Sequence, residues 1–274
     1  MPVTAPAQPA ATTAALKLRE SVSQLSEDAL GRFREAVRGF MARSDNRGYQ
    51  FYAGWHGVPL GLCQHHNAVF LPWHRGYLYH FELALQDIDS DVTLPWWDWV
   101  DEAGIPDAYS KRTAGGRRAN VLHDAPIKPF GVQPRRGWPT RTSRRPGGDP
   151  SSGQHPIGPP IRQYWDWIME PSSFDEFNRR ITFVHDNLHG WVGGTMGDPN
   201  WAAFDPLFWA HHTMVDRVWR IWQHNNPGAM ANYPFLDRAM TYAKAPSFKV
   251  REVLKVSQLG YEYAAQSASV PGTV

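Results

Sequence analysis

The chain has 274 residues, with hydrophobic residues at 42% and charged residues at 20%, the balance of an ordinary globular protein with one sizeable core or two small ones. A formal net charge of +2 is too small for nucleic acid or an anionic membrane surface to be the main partner. No apolar run reaches the roughly 18 residues that a membrane helix needs, and the lone Cys63 excludes an intrachain disulfide.

The start, residues 1–15, is Pro, Ala and Thr without a basic stretch followed by an apolar one. It reads as a disordered arm, not a secretory signal. With the single cysteine this favours the cytoplasm, although export alongside a partner protein is compatible with the same sequence.

Four helices are expected. Ser26 is a good N-cap, with Glu27 and Asp28 in the first turn and Leu30, Phe33, Val37 and Phe40 at helical spacing. A second helix should run from about Trp73 to Ile88, with Leu78, Phe81 and Leu85 on the face of His74. Residues 111–160 carry Pro, Gly and paired arginines without periodicity, and are expected to form a long surface excursion whose charges are solvated. A third helix should start after Ser173, with Glu176 completing a capping box and Phe177, Ile181, Val184 and Leu188 forming its stripe. A fourth should start at Asp205, with Pro206 in its first position, and run to about His224. Residues 266–274 read as a flexible tail.

The twelve histidines are not scattered: four lie from His56 to His74 and four from His185 to His212. His185 and His189 sit one helical turn apart, so both imidazoles share a face and can pinch a metal. A zinc-protease helix needs H-E-x-x-H, and this run, His185-Asp186-Asn187-Leu188-His189, has no Glu there. On the fourth helix Phe208, His212, Val215 and Trp219 share a face, which lets His212 join the pair. Imidazoles without carboxylates suit copper, zinc, iron or nickel rather than magnesium, calcium or manganese. Two such sites on packed helices point to a dinuclear centre in a mainly α fold, a four-helix bundle with long loops and minor β structure.

At these residues the chain resembles the tyrosinases, catechol oxidases and molluscan-type hemocyanins. The pattern A-G-x-H-G-x-P carries His56 and F-L-P-W-H-R carries His74, while DPLFWAHHTMVDRVW spans residues 205–219. The resemblance implies two copper ions, one on His56, His65 and His74, the other on His185, His189 and His212. It selects His65 over His66 as the residue nine before His74, and His212 as the second of its pair. It also implies a thioether from Cys63 to His65, as in fungal and molluscan members. LPWWDW at residues 94–99 matches a Trp-rich strand, and Tyr261 and Tyr263 match a closing tyrosine motif whose partner is Arg19. The implied domain covers residues 16–265.

The implied activity is oxidation of o-diphenols or o-aminophenols to quinones or quinone imines by O2, with hydroxylation of monophenols as a further capacity. The alternative is a hemocyanin-like dioxygen-binding protein. The expected partners are a small phenolic or aminophenolic substrate and O2, with neither nucleic acid nor membrane, and a copper-delivery helper protein is compatible. Two carboxylates are candidates for holding a catalytic water, Glu176 and Asp186. Glu176 is half a turn out of phase with His185 on an ideal helix and has the capping role as competitor.

Overall fold

The computed structural model of the chain describes residues 15–114, 116, 118–148 and 156–265. The N-terminal arm, save residue 15, and the tail at residues 266–274 lie outside the described residues. Helix α1 spans Glu27–Ala42 and starts where expected: Ser26 Oγ accepts from the Ala29 amide. Its buried residues, Phe33, Ala36, Val37 and Phe40, face the core. Helix α2, Tyr49–His56, was not foreseen. Its N-cap is Gly48, with no side-chain cap, and nearly every side chain is buried, so neither capping nor amphipathicity marks it.

Helix α3 spans Phe70–Gln86, three residues earlier than expected, because Pro72 fits the first turn. A short α4, Asp107–Ser110, and α5, Trp165–Met169, follow. Helix α6 spans Phe174–Val192 with Ser173 as N-cap, its hydroxyl accepting from the Glu176 amide. Helix α7 spans Pro206–Asn225, with Pro206 in the first turn and Asp205 accepting from the Leu207 amide. No helix among the described residues is long and apolar enough to cross a membrane.

Strand structure is sparse. β1 (Lys17–Arg19) pairs in parallel with β6 (Tyr261–Tyr263). β2 (Thr113–Ala114) pairs with β3 (Arg118–Ala119), and β4 (Ala239–Tyr242) with β5 (Ala245–Lys249). The expected strand at residues 94–99 reduces to one bridge, Trp96 to Ser21. Trp96, Trp97 and Trp99 instead wedge wholly into the core.

Arg19 joins the ends of the chain to its centre. It donates to Glu82 on α3 at 2.9 Å and to the Tyr263 hydroxyl at 3.2 Å. Asp216 on α7 accepts from Arg75 at 2.5 Å and from the hydroxyls of Tyr261 at 2.7 Å and Tyr263 at 2.5 Å. Burial alone would raise the Asp216 carboxyl, but Arg75 and Arg19 outweigh it and hold it below its ordinary value. Asp98 is also buried and accepts from the Val100 amide. Both aspartates have structural partners.

The excursion at 111–160 carries mostly exposed charges but is anchored to the core. Leu122, Ala125, Ile127 and Thr142 are buried, and Arg144 reaches through the loop to Asp205, with Nε–Oδ2 at 2.9 Å and both side chains almost wholly buried. The segment is held by hydrogen bonds to side chains and to distant backbone, such as Thr195 N to Ser143 O at 2.9 Å. Such anchoring leaves no periodic trace in a sequence. Arg135, Arg136 and Arg141 do remain exposed.

Candidate metal centre

His56 ends α2, and the following residue explains its fixed position. A side chain at Gly57 would put Cβ 2.4 Å from the Asn200 carbonyl oxygen, so only glycine lets the 199–200 turn close on the helix end. There the Val58 amide donates to Asn200 O at 3.2 Å, and His56 Nδ1 lies 3.0 Å from Pro199 O. His74, one turn into α3, has Nδ1 2.9 Å from Phe70 O. His65 comes from the connecting loop, and its Nε2 lies 3.2 Å from His56 Nε2.

The second group is built on two helices. His185 and His189 project from one face of α6, and His212 from α7. His212 Nε2 lies 3.2 Å from His185 Nε2 and 3.3 Å from His189 Nε2. His189 Nδ1 is 2.7 Å from Met196 O, and His185 Nδ1 is 2.8 Å from Asp186 Oδ1. The two groups meet: ring centroids of His74 and His212 are 4.5 Å apart, and those of His65 and His185 are 5.7 Å apart. Phe208 packs between His56, at 4.8 Å, and His212, at 4.2 Å. The structure thus gathers all six sequence-predicted histidines at one place.

The chemistry of this set fits a metal. Nδ1–H groups donated to carbonyl or carboxylate oxygens leave Nε2 as the free lone pair, the arrangement that orients ligating imidazoles. His74 Nε2 is buried without a partner, which burial normally penalises. Burial pushes the His56, His74, His185 and His212 imidazoles well below their ordinary value. Burial likewise lowers His65, and takes His189 down to about 4. All six are therefore neutral near pH 7, the form that binds a metal.

Sequence reasoning left one residue aside. His211 is fully buried, both its ring nitrogens lack partners, and its ring stacks on His185 at 5.2 Å between centroids. With His185, His189 and His212 it forms a four-imidazole cluster whose ligand atoms lie within 4.8 Å of one another. Its adjacency to His212 was the available signal.

The two carboxylate candidates lie in different surroundings. Asp186 borders the centre, accepting from His185 and lying 3.6 Å from His66 Nε2. Glu176 is clamped by Arg179, at 2.6 Å, and Arg180, at 2.7 Å. Those hydrogen bonds pull its carboxyl down to about 2, and no described contact joins it to an imidazole. Cys63 Sγ lies 3.9 Å from His65 Nδ1. His66 is turned outward, with its side chain 70% exposed.

A helical core that holds two facing imidazole triplets defines the type-3 copper class. Comparison with known proteins agrees: residues 46–225 match the common central domain of tyrosinase. A tyrosinase of Streptomyces galbus is 31% identical over 242 residues, covering 80% of this chain and 83% of the relative. Units G and H of the hemocyanin of Sepia officinalis are 28% identical over 225 residues, covering 75% of this chain and 37% of theirs. Among solved structures, an octopus hemocyanin functional unit superposes with TM-score 0.74 at 25% identity, covering 90% of this chain and 68% of that one. A tyrosinase from Burkholderia thailandensis superposes at 0.73 and 20% identity, covering 93% and 76%. This chain belongs to the tyrosinase family. The family binds two copper ions, and the histidine clusters can hold them.

Proposed function

We propose that this protein is an oxidase that uses O2 to convert o-diphenols or o-aminophenols to quinones or quinone imines. The observation that carries this reading is the open flank of the centre. His65 and Asp186 are only partly buried, and a cavity of about 550 Å³ lined by His66 and Asp186, though by none of the six imidazoles, lies on that side. In this reading a small aromatic ring approaches the centre from that side. A dioxygen carrier needs no such approach, although hemocyanins are as similar to this chain as tyrosinases are.

In this reading His56, His65 and His74 hold one copper and His185, His189 and His212 the other, and bound copper supplies the dioxygen and redox chemistry. The protein's own residues fix those imidazoles through the Pro199, Phe70 and Met196 carbonyls, and Phe208 packs against His56 and His212. The diphenol gives up two electrons and two protons, and one O2 consumes two diphenols and yields two waters. Asp186 is the carboxylate placed to hold a proton or a water at the rim. Cys63 and His65 are a candidate thioether pair. A cytoplasmic site and a copper-delivery helper remain part of the proposal.

Copper loading followed by turnover on catechol, o-aminophenol and tyrosine tests it. Oxidation of catechol is expected; reversible O2 binding without turnover of any of the three would favour the carrier reading instead. The carboxylate of Asp186, beside the buried imidazoles, also repels a phenolate brought to the centre. Monophenols should therefore be slower than diphenols, and Asp186→Asn should raise the monophenol-to-diphenol activity ratio. A fall in that ratio, with both coppers retained, would identify Asp186 as the base.

A further inference from the structure

The second imidazole triplet stands on two helices, and one stretch of chain, residues 143–148, touches an end of each. A helix leaves its last carbonyls without partners of its own. At the end of α6 those of Trp191 and Val192 accept from this stretch instead. The Gly147 amide reaches Trp191 O at 2.8 Å, and the Arg145 amide reaches Val192 O at 2.7 Å. Between them Arg144 turns to the other helix, where its guanidinium holds Asp205, the N-cap of α7.

The contact is tightest just past α6. Gly194 has φ of 57°, and a Cβ there would stand 2.2 Å from Ser143 O, so the two strands of chain approach as only glycine allows. The Thr195 amide then donates to Ser143 O at 2.9 Å. The Thr195 hydroxyl donates to the same carbonyl at 3.0 Å and accepts from the Ser143 amide at 3.0 Å. Thr195 is buried, where these bonds are costly to lose. The next residue, Met196, presents the carbonyl that lies 2.7 Å from His189 Nδ1. The far end of this loop is held separately: the Val58 amide donates to Asn200 O at 3.2 Å, beside the Pro199 carbonyl that faces His56. One loop thus carries a carbonyl for each triplet, and the Ser143 backbone grips the half that serves His189.

We propose that Thr195 is a positioning residue of the second copper site: its clasp on the Ser143 backbone holds the Met196 carbonyl at His189 and so sets the affinity for one of the two ions. The inference rests on the assignment of His185, His189 and His212 to that ion. Helix α6 fixes where the His189 backbone lies, but the turn of its ring is fixed by the group that accepts from Nδ1. Valine in place of Thr195 keeps the shape and removes both hydroxyl bonds, which loosens the Met196 carbonyl. Serine keeps the hydroxyl. Ser143→Ala is the complementary control, because the atoms of Ser143 that meet Thr195 belong to its backbone.

Titration of the metal-free chain with Cu(I) against a competing chelator tests this, with the histidine ring resonances showing which triplet fills. In Thr195→Val one ion should bind roughly tenfold more weakly, and the rings of His185, His189 and His212 should be the ones that empty first. Thr195→Ser and Ser143→Ala should bind both ions as the wild type does. Equal weakening of both ions, weakening of the first triplet alone, or no change in Thr195→Val overturns the proposal. So does a Ser143→Ala variant as weak as Thr195→Val. A lower Tm of the metal-free Thr195→Val chain with unaltered Cu(I) affinity would leave Thr195 a packing role only. If the valine variant does not fold, Thr195→Ala takes its place; if neither folds, the clasp belongs to the fold and the proposal falls. No turnover enters these measurements. A wild-type chain that binds both ions and oxidises nothing sinks the oxidase reading and leaves this test intact, whereas a wild-type chain that leaves the second triplet empty removes the assignment on which the proposal rests.

Discussion

At the residue scale the informative pair is His65 and His66. Spacing alone cannot separate neighbours, and the resemblance chose His65. The structure gives the physical difference: His65 Nε2 lies 3.2 Å from His56 Nε2, while His66, with φ at 52°, turns outward to Asp186. His65→Ala should lose one copper and the oxidase activity, and His66→Ala should keep both coppers by metal analysis. The reverse pattern would overturn the assignment. Cys63 raises a related question. Burial pushes its thiol up, which disfavours spontaneous thiolate chemistry, so a thioether to His65 would need the oxidising copper nearby. If it forms, the copper-matured chain weighs two hydrogens less than its sequence and resists thiol reagents after unfolding. A full-mass chain with a titrating thiol after maturation would leave Cys63 as packing.

At the element scale, legibility followed capping. Helices α1, α6 and α7 begin at Ser26, Ser173 and Asp205, whose side chains do accept the expected amides, so their starts could be read directly. Helix α2 could not, since YQFYAGWH is buried at all but Tyr52 and its N-cap, Gly48, has no side chain to cap it. In the 111–160 segment most described arginines are exposed, as their polarity suggests, but Arg144 is buried against Asp205. His80 on α3 shows a consequence that no sequence pattern reveals. Its ring stacks on Phe248 of β5 at 5.1 Å, and Nε2 lies 3.1 Å from Pro246 O. Burial lowers its imidazole to about 4. The unfolded chain takes up that proton near the ordinary value of about 6.5, so the His80 contribution is complete above that pH and is lost as pH falls towards 4. Between pH 7 and 5 this removes roughly 2 kcal/mol. His80→Phe should flatten the pH dependence of the urea midpoint over that interval. An unchanged slope would mean that the ring is protonated in place without penalty.

At the scale of the whole molecule, the question is whether copper holds the fold together or merely fills it. The six imidazoles come from α2, the loop after it, α3, α6 and α7, so two metals would clip four helices. Yet the same helices are joined without metal. Phe40, Tyr49, Phe81 and Trp209 interlock α1, α2, α3 and α7, with Phe81 and Trp209 stacked at 3.4 Å between centroids, Phe177 of α6 stacks on Trp222 of α7 at 4.7 Å, and Arg19 ties β1 to α3 and β6. A core of that size distinguishes this chain from small domains that unfold when their metal is chelated. Metal analysis after loading should find about two coppers per chain, as six motif histidines imply. Their removal should then cost only linkage energy, about 4 kcal/mol per copper at a thousandfold its Kd and so about 8 kcal/mol for two, or a fall in Tm of roughly 16–32 °C at this size. Far-UV circular dichroism of the copper-free chain at 25 °C should be unchanged. Loss of helicity on chelation would show that the aromatic core is insufficient alone. An unchanged Tm would show that the imidazoles do not hold copper in the folded state.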